Sequence, residues 1–339
     1  MPVETFIKNA PKVELHVHLE GAIPAHTLLK LAHKNNIALP VSTLEEIREW
    51  YRFRDFPDFN EKYILISNCI RNSDDIYLIG KEFLEGQAAQ HIVYSEVTYT
   101  AYTHTKQWRI PMLEQISALM EASRWAEQHL GVGMRLIIDI ARETAPHEGL
   151  WVAEAAVEGM PQGVVALGLG GYEVGYPPGR FVEAFALARE AGLPRILHAG
   201  ETAGAESIRE ALEVGDPLRI GHGVRCLEDA GLVAELRARQ IPLEICPSSN
   251  VCLGVVPDMH HHPLPRLLQE GLFITINSDD PALFSTSLIR EYTRIRQAFD
   301  YDIGDLQKLM VNGIQASFLS PMQKSSLLQE MDTLITREN

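Results

Sequence analysis

The stretch Glu14-Leu15-His16-Val17-His18-Leu19-Glu20-Gly21 places two histidines one residue apart in an apolar run. Side chains alternate along a β-strand, so His16 and His18 face the same way. Gly21 and Pro24 then mark a loop that leaves the strand. Two imidazoles on one face beside a loop are half of a metal site. Alone, the pair fits equally a buried, hydrogen-bonded histidine next to an exposed one. The rest of the chain has to supply the other ligands.

Outward from this stretch, short apolar runs alternate with helical spacing. Residues 25–36 carry Leu28, Leu29, Leu31 and Ala32 on a helical repeat, and residues 41–90 are helical and more polar. Strand-like runs follow at 92–99, 134–140, 164–169, 195–198, 219–222, 242–246 and 273–278. Helical segments separate most of them, and a helical tail closes the chain. With the first strand, the alternation predicts eight βα units. The fold class expected is α/β, a TIM (β/α)8 barrel with extra helices after the first strand and at the C-terminus. It is read as a single domain over residues 1–339. A doubly wound sheet is disfavoured, because no Gly-x-Gly-x-x-Gly opens a helix after the first strand and no Gly-Lys-Ser/Thr loop is present.

Length and composition agree. A chain of 339 residues with 46% hydrophobic content builds a large core. The formal net charge of −15, without a run of Lys or Arg, argues against a nucleic-acid partner. The four cysteines, Cys69, Cys226, Cys246 and Cys252, are scattered and form no Cys-x-x-Cys. The N-terminus lacks the basic flank and apolar core of a signal peptide, and no run reaches transmembrane length. A cytoplasmic protein without a membrane partner is expected.

A barrel of this class carries its active site at the C-terminal ends of the strands. Those ends read His16-Val17-His18, Gly168-Leu169-Gly170-Gly171, His198-Ala199-Gly200-Glu201, Gly221-His222-Gly223 and Ser278-Asp279-Asp280-Pro281. Each has an ordinary structural reading: a core histidine, a capping carboxylate, an Asp before Pro in a turn. Their recurrence at one end of the barrel does not. His16, His18 and His198 supply three imidazoles, and an aspartate after strand eight completes a mixed nitrogen and oxygen sphere. A metal so held acidifies water to give a nucleophile at pH 7. His222 would orient that water and take its proton, Glu201 would be a general acid, and one aspartate remains for substrate. The triplet His260-His261-His262 lies in a polar loop and is read as solvated.

At these residues the chain resembles the adenosine deaminase family of the amidohydrolase superfamily. The matching segments are residues 11–21, 198–201, 221–223 and 278–281, in the family's order and across nearly the whole chain. The resemblance implies hydrolytic replacement of the 6-amino group of a purine with one zinc per chain. It assigns His16, His18, His198 and Asp279 to zinc, Glu201 to protonation of N1, and His222 to the attacking water. Asp280 would meet N7 and the Gly171 N–H would meet N3, where glycine allows close approach. Phe56 and Phe59 would belong to an apolar gate over the site.

The resemblance also bears on substrate. Glu20 stands where typical adenosine deaminases have an aspartate that meets the ribose 5′-hydroxyl. Asn60 replaces an aliphatic residue of the gate. The run Gly168-Leu169-Gly170-Gly171-Tyr172-Glu173-Val174-Gly175 resembles relatives acting on adenine or on aminodeoxyfutalosine, without the serine pair usual in adenine deaminases. The substrate expected is a purine nucleoside, adenosine first. The alternatives are a 5′-modified adenosine such as aminodeoxyfutalosine or methylthioadenosine, or adenine itself. Two other classes are weighed: a binuclear hydrolase, which wants a lysine at a strand end and finds none, and a catalytically dead binding protein, against which Glu201, His222 and Asp279 all stand.

Overall fold

The apolar runs become eight strands in the computed structural model, which describes residues 1–336. They are β1 (Lys12–His18), β2 (Ile92–Tyr99), β3 (Gly133–Ala141), β4 (Val164–Gly170), β5 (Arg195–Ala199), β6 (Arg219–His222), β7 (Leu243–Ile245) and β8 (Ile274–Ile276). They pair in parallel in the order β1 to β8, as one sheet curled into a TIM (β/α)8 barrel. Helices cover the outside. β3 and β4 are buried on both faces, which is why they read as nearly continuous apolar runs rather than as alternation.

The helical stretch after β1 divides into three helices, Leu44–Trp50, Phe56–Asn68 and Ser73–Ala88. Thr43, Asp55 and Asn72 cap them, each accepting from a backbone N–H of the first turn. A helix over Val3–Asn9, not expected from the sequence, lies before β1. The Lys12 ammonium donates to the carbonyls of Ile7, Lys8 and Ala10 at its C-terminal end. Lys12 is therefore committed to fold. None of the described helices is long and apolar enough to cross a membrane.

The barrel closes in an irregular way. β8 ends at Ile276, although its apolar run was expected to continue to Ser278. In place of a ladder, the Asn277 side-chain oxygen accepts from the N–H groups of Leu15 and His16. The Glu14 carboxylate accepts from the N–H and hydroxyl of Ser278. A single parallel bridge joins Val17 to Asp279. The seam between first and last strands is thus made largely by side chains, at the level where the metal-competent residues emerge.

Candidate active site

Strand periodicity puts His16 and His18 side by side at the top of β1. His198 comes from β5, and Asp279 follows β8. One ligand atom from each of these four lies within 4.8 Å of all the others. His18 Nε2 is 3.1 Å from His198 Nε2, and both β1 imidazoles approach Asp279 Oδ1 at 3.4 Å. The far nitrogens are held from behind: His16 Nδ1 is 2.9 Å from Glu244 Oε2, and His198 Nδ1 is 2.9 Å from the Leu169 carbonyl. Such partners leave each Nε2 free to bind metal. His16 Nε2 is buried without a hydrogen-bond partner. Burial holds the His18 and His198 rings neutral. Burial also works to lower the pKa of His16, but Asp279 and Glu244 outweigh it and raise it to about 10, so the surroundings favour a cation there. An orphaned buried nitrogen, three imidazoles and a carboxylate are a donor set that fits zinc.

Glu244 belongs to a deeper chain of charge. Its other oxygen accepts from the fully buried Arg219, whose guanidinium also reaches Glu96 and the Ala316 carbonyl. Glu96 in turn accepts from the Phe318 N–H. The β1 histidine is thereby braced through β7 and β6 to β2 and the C-terminal helices.

Asp279 is at φ 64° and His222 at φ 61°, in the left-handed region that non-glycine residues seldom occupy. The Asp279 N–H donates to the His16 carbonyl, and its own carbonyl accepts from the His18 N–H. These contacts hold the strained turn, which aims the carboxylate at the imidazoles. His222 Nε2 is 3.6 Å from Glu201 Oε1 and 3.9 Å from Asp279 Oδ2. Burial lowers the His222 pKa to about 4, leaving a neutral ring able to accept a proton. Cys246 Sγ groups with His222 and Asp279, and burial pushes its thiol up into an inert state.

Glu201 sits in the loop after β5 with Oε1 buried and unpartnered. Burial, then the charges of Asp279 and Glu173, raise its pKa well above the usual carboxylate range. The loop is held by a residue to which the sequence reading gave no role. The Glu173 carboxylate accepts from the N–H groups of Gly200, Glu201, Thr202 and Ala203 and from the Ser207 hydroxyl. Arg142, also missed, donates to the His198 and Tyr176 carbonyls.

The expected substrate residues distribute unevenly. A cavity of about 300 Å³ opens over the histidines, lined among others by Phe56, Phe59, Gly171, Asp280 and Glu201. Phe59 stacks on Phe284, and Phe56 packs against Tyr172, so the helix Phe56–Asn68 roofs the cavity. Asp280 is buried with Oδ1 unpartnered, and a Cβ on Gly21 would stand 1.7 Å from that oxygen. Gly171 has φ 93°, with Glu143 packed on it. Glu20 is engaged elsewhere: its oxygens accept from Thr100 N–H and Tyr63 O–H and meet His104 Nε2 at 3.2 Å. Tyr63 and Thr100 line the cavity at that point. Asp139 on β3 also lines it, a position marked in the sequence by one carboxylate inside the run Met134 to Ile140. Of the histidine triplet, His262 is buried on Asn250 rather than solvated. It anchors the loop and lies outside this cluster.

The profile of the family described as "Adenosine deaminase" matches residues 11–334. An adenine deaminase of Vibrio parahaemolyticus is 32% identical over 337 residues, spanning 99% of both chains. The crystal structure of an adenine deaminase from Arthrobacter aurescens is 34% identical with TM-score 0.92, over 96% of this chain and 99% of that one. An amidohydrolase from Burkholderia ambifaria with bound Zn is 26% identical with TM-score 0.89, over 98% and 94%. A barrel whose strand ends gather these groups, matched by that profile over almost its full length, belongs to the adenosine deaminase family of metal-dependent amidohydrolases and is a purine deaminase.

Proposed function

We propose that the chain hydrolyses the 6-amino group of adenine at one zinc ion held by His16, His18, His198 and Asp279. The observation that carries the reaction is the meeting of those four residues with Glu201 and His222 in one cavity. Zinc bound there would supply a nucleophile at neutral pH by acidifying water. Water adds to C6 while neutral Glu201 gives its proton to N1. His222 takes the proton that the water loses and passes it to the departing amino group. The second hydroxyl proton returns to Glu201, so ammonia and a 6-oxopurine leave and the acid is restored. Asp280 faces N7, and the Gly171 N–H faces N3.

Charge supports a neutral substrate. Asp139, Glu143, Glu201, Asp279 and Asp280 line the cavity, and no described lining residue is Lys or Arg. A 5′-phosphate or an aromatic acid would find carboxyl groups and no cation to answer it. The named relatives favour the free base. A second reading, adenosine, rests on Asn60, Ser67 and Thr103, polar groups on the same wall that suit a ribose.

Ammonia release by the zinc-loaded protein tests both, with adenine, adenosine and AMP compared by kcat/KM. Adenine is expected to lead and AMP to be inert. Preference for adenosine overturns the base assignment, and no turnover of any 6-aminopurine overturns the reaction.

A further inference from the structure

The glycines of Gly168-Leu169-Gly170 have no role in the reaction above. Their neighbour on β3 explains them. Asp139 pairs in register with Gly168, and a Cβ on Gly168 would stand 2.7 Å from Asp139 Oδ1. A Cβ on Gly170 would stand 2.8 Å from Asp139 Oδ2. β4 therefore gives up two side chains to lodge one carboxyl group inside the barrel wall. That group is 3% exposed, lines the cavity, and has Oδ1 buried without a partner. Glu143, which packs on Gly171, is by contrast occupied by the Tyr172 N–H at 2.8 Å.

A buried carboxyl without a partner is destabilising unless a ligand completes it. Burial raises its pKa to about 8, so near neutrality it stands ready to pair rather than to repel. The Gly171 N–H, one residue beyond Gly170, faces N3 in the reading above, and N9 is bonded to C4 beside it. Resting on that reading, we propose that Asp139 is a specificity-determining residue that accepts a hydrogen bond from N9–H of the free base. A nucleoside has carbon on N9 and cannot make this bond. Selection for the base then comes from the barrel wall rather than from the roof.

The test compares kcat/KM for adenine and 9-methyladenine in wild type, Asp139→Ala and Asp139→Asn. Calorimetric binding of hypoxanthine and 9-methylhypoxanthine gives a readout that needs no turnover. An unpaired buried donor lowers affinity by roughly 10- to 100-fold. The adenine to 9-methyladenine ratio is expected to fall by that factor in Asp139→Ala, with the same change in the ratio of product affinities. Asp139→Asn keeps an acceptor and is expected to recover most of the selectivity. A ratio unmoved in a folded Asp139→Ala protein overturns the proposal, and so does a loss that falls equally on both substrates. If wild type turns over no 6-aminopurine, the reaction assignment fails, while the two product affinities still decide the role of Asp139.

Discussion

Replacing Glu173 by Gln tests whether Glu201, the proposed general acid, is aimed by its loop. In the wild-type protein Oε2 accepts from Glu201 at 3.1 Å, Thr202 at 2.9 Å and Ala203 at 2.8 Å, and Oε1 accepts from Gly200 at 2.6 Å and from the Ser207 hydroxyl. A glutamine has one carbonyl oxygen. If that oxygen keeps the three donors, its NH2 confronts the Gly200 N–H and one charge-assisted bond is lost, about 1.5–3 kcal/mol. The three remaining bonds become neutral and weaken, for a total of about 3–5 kcal/mol. With an unfolding entropy of about 2.1 cal/mol/K per residue over 339 residues, Tm should fall by about 4–7 °C. A shift of about 1 Å in Glu201 should lower kcat on the order of 100-fold.

The pH dependence has a definite sign. Burial pushes the Glu173 carboxyl up, but the bonds from Ser207, Ala203 and Gly200 and the charge of Arg142 outweigh it and hold it below its ordinary 4.5. Its stabilisation is therefore complete above that value and is lost as pH falls through the folded-state pKa. The Tm gap between wild type and Glu173→Gln should be full at pH 7 and narrow in acid. Thermal melts at several pH values, with zinc content and kcat, decide the matter. A variant within 1 °C and threefold of wild type refutes the reasoning. A lowered Tm with unchanged kcat would mean that Glu173 holds the loop without aiming Glu201.

Four further outcomes are expected. Glu201→Gln should keep stoichiometric zinc and lose kcat by roughly 100- to 10,000-fold; near-normal turnover would remove it as the acid. Glu244→Gln should weaken zinc binding roughly 10- to 100-fold in a chelator competition, because one amide oxygen cannot serve both Arg219 and His16 Nδ1 as the two carboxylate oxygens do, and unchanged affinity would deny Glu244 that role. Gly21→Ala should lower kcat/KM on the order of 100-fold, since the added Cβ must displace Asp280; wild-type kinetics would mean that Asp280 does not need its place. Removing zinc from protein held at 100 times its Kd should withdraw about 2.7 kcal/mol, read as a lower Tm that zinc restores; an apoprotein with an unaltered melt would separate the site from the fold.

Much of this was readable before any coordinates. β3 and β4 are legible because parallel strands buried on both faces are rich in Val, Ile, Leu and Ala. His16, His18, His198, Glu201, His222 and Asp279 are legible because metal and proton chemistry uses few residue types, and each lies beside a strand end. Glu173 is different in kind. Four of its five partners are backbone N–H groups, which every sequence offers everywhere, so nothing in the letters marks them as a target. Asp139 left a trace, a carboxylate inside an apolar strand, and the paired glycines opposite it left another. The two traces mean something only once β3 and β4 are in register. Glu20 was expected to meet substrate from the resemblance alone. That its oxygens turn to Tyr63, Thr100 and His104 depends on elements up to 84 residues away.

The seam between β1 and β8 shows why the remainder was hidden. A regular eighth strand would run on through residues 277 and 278 and close the barrel with a backbone ladder. Instead β8 ends at Ile276, and the Asn277 and Glu14 side chains join this segment to β1 and its flank. Asp279, which keeps only an isolated bridge to Val17, enters the left-handed region and turns its carboxylate inward. The chain thus gives up regular backbone pairing where Asp279 meets His16 and His18. A zinc ion bound by His16, His18 and Asp279 would itself tie β1 to the end of β8. Metal binding and barrel closure then share one set of contacts, and the energy of one adds to the other. An apolar-pattern reading extends β8 too far for the same reason: function here is built from the interruption of the pattern.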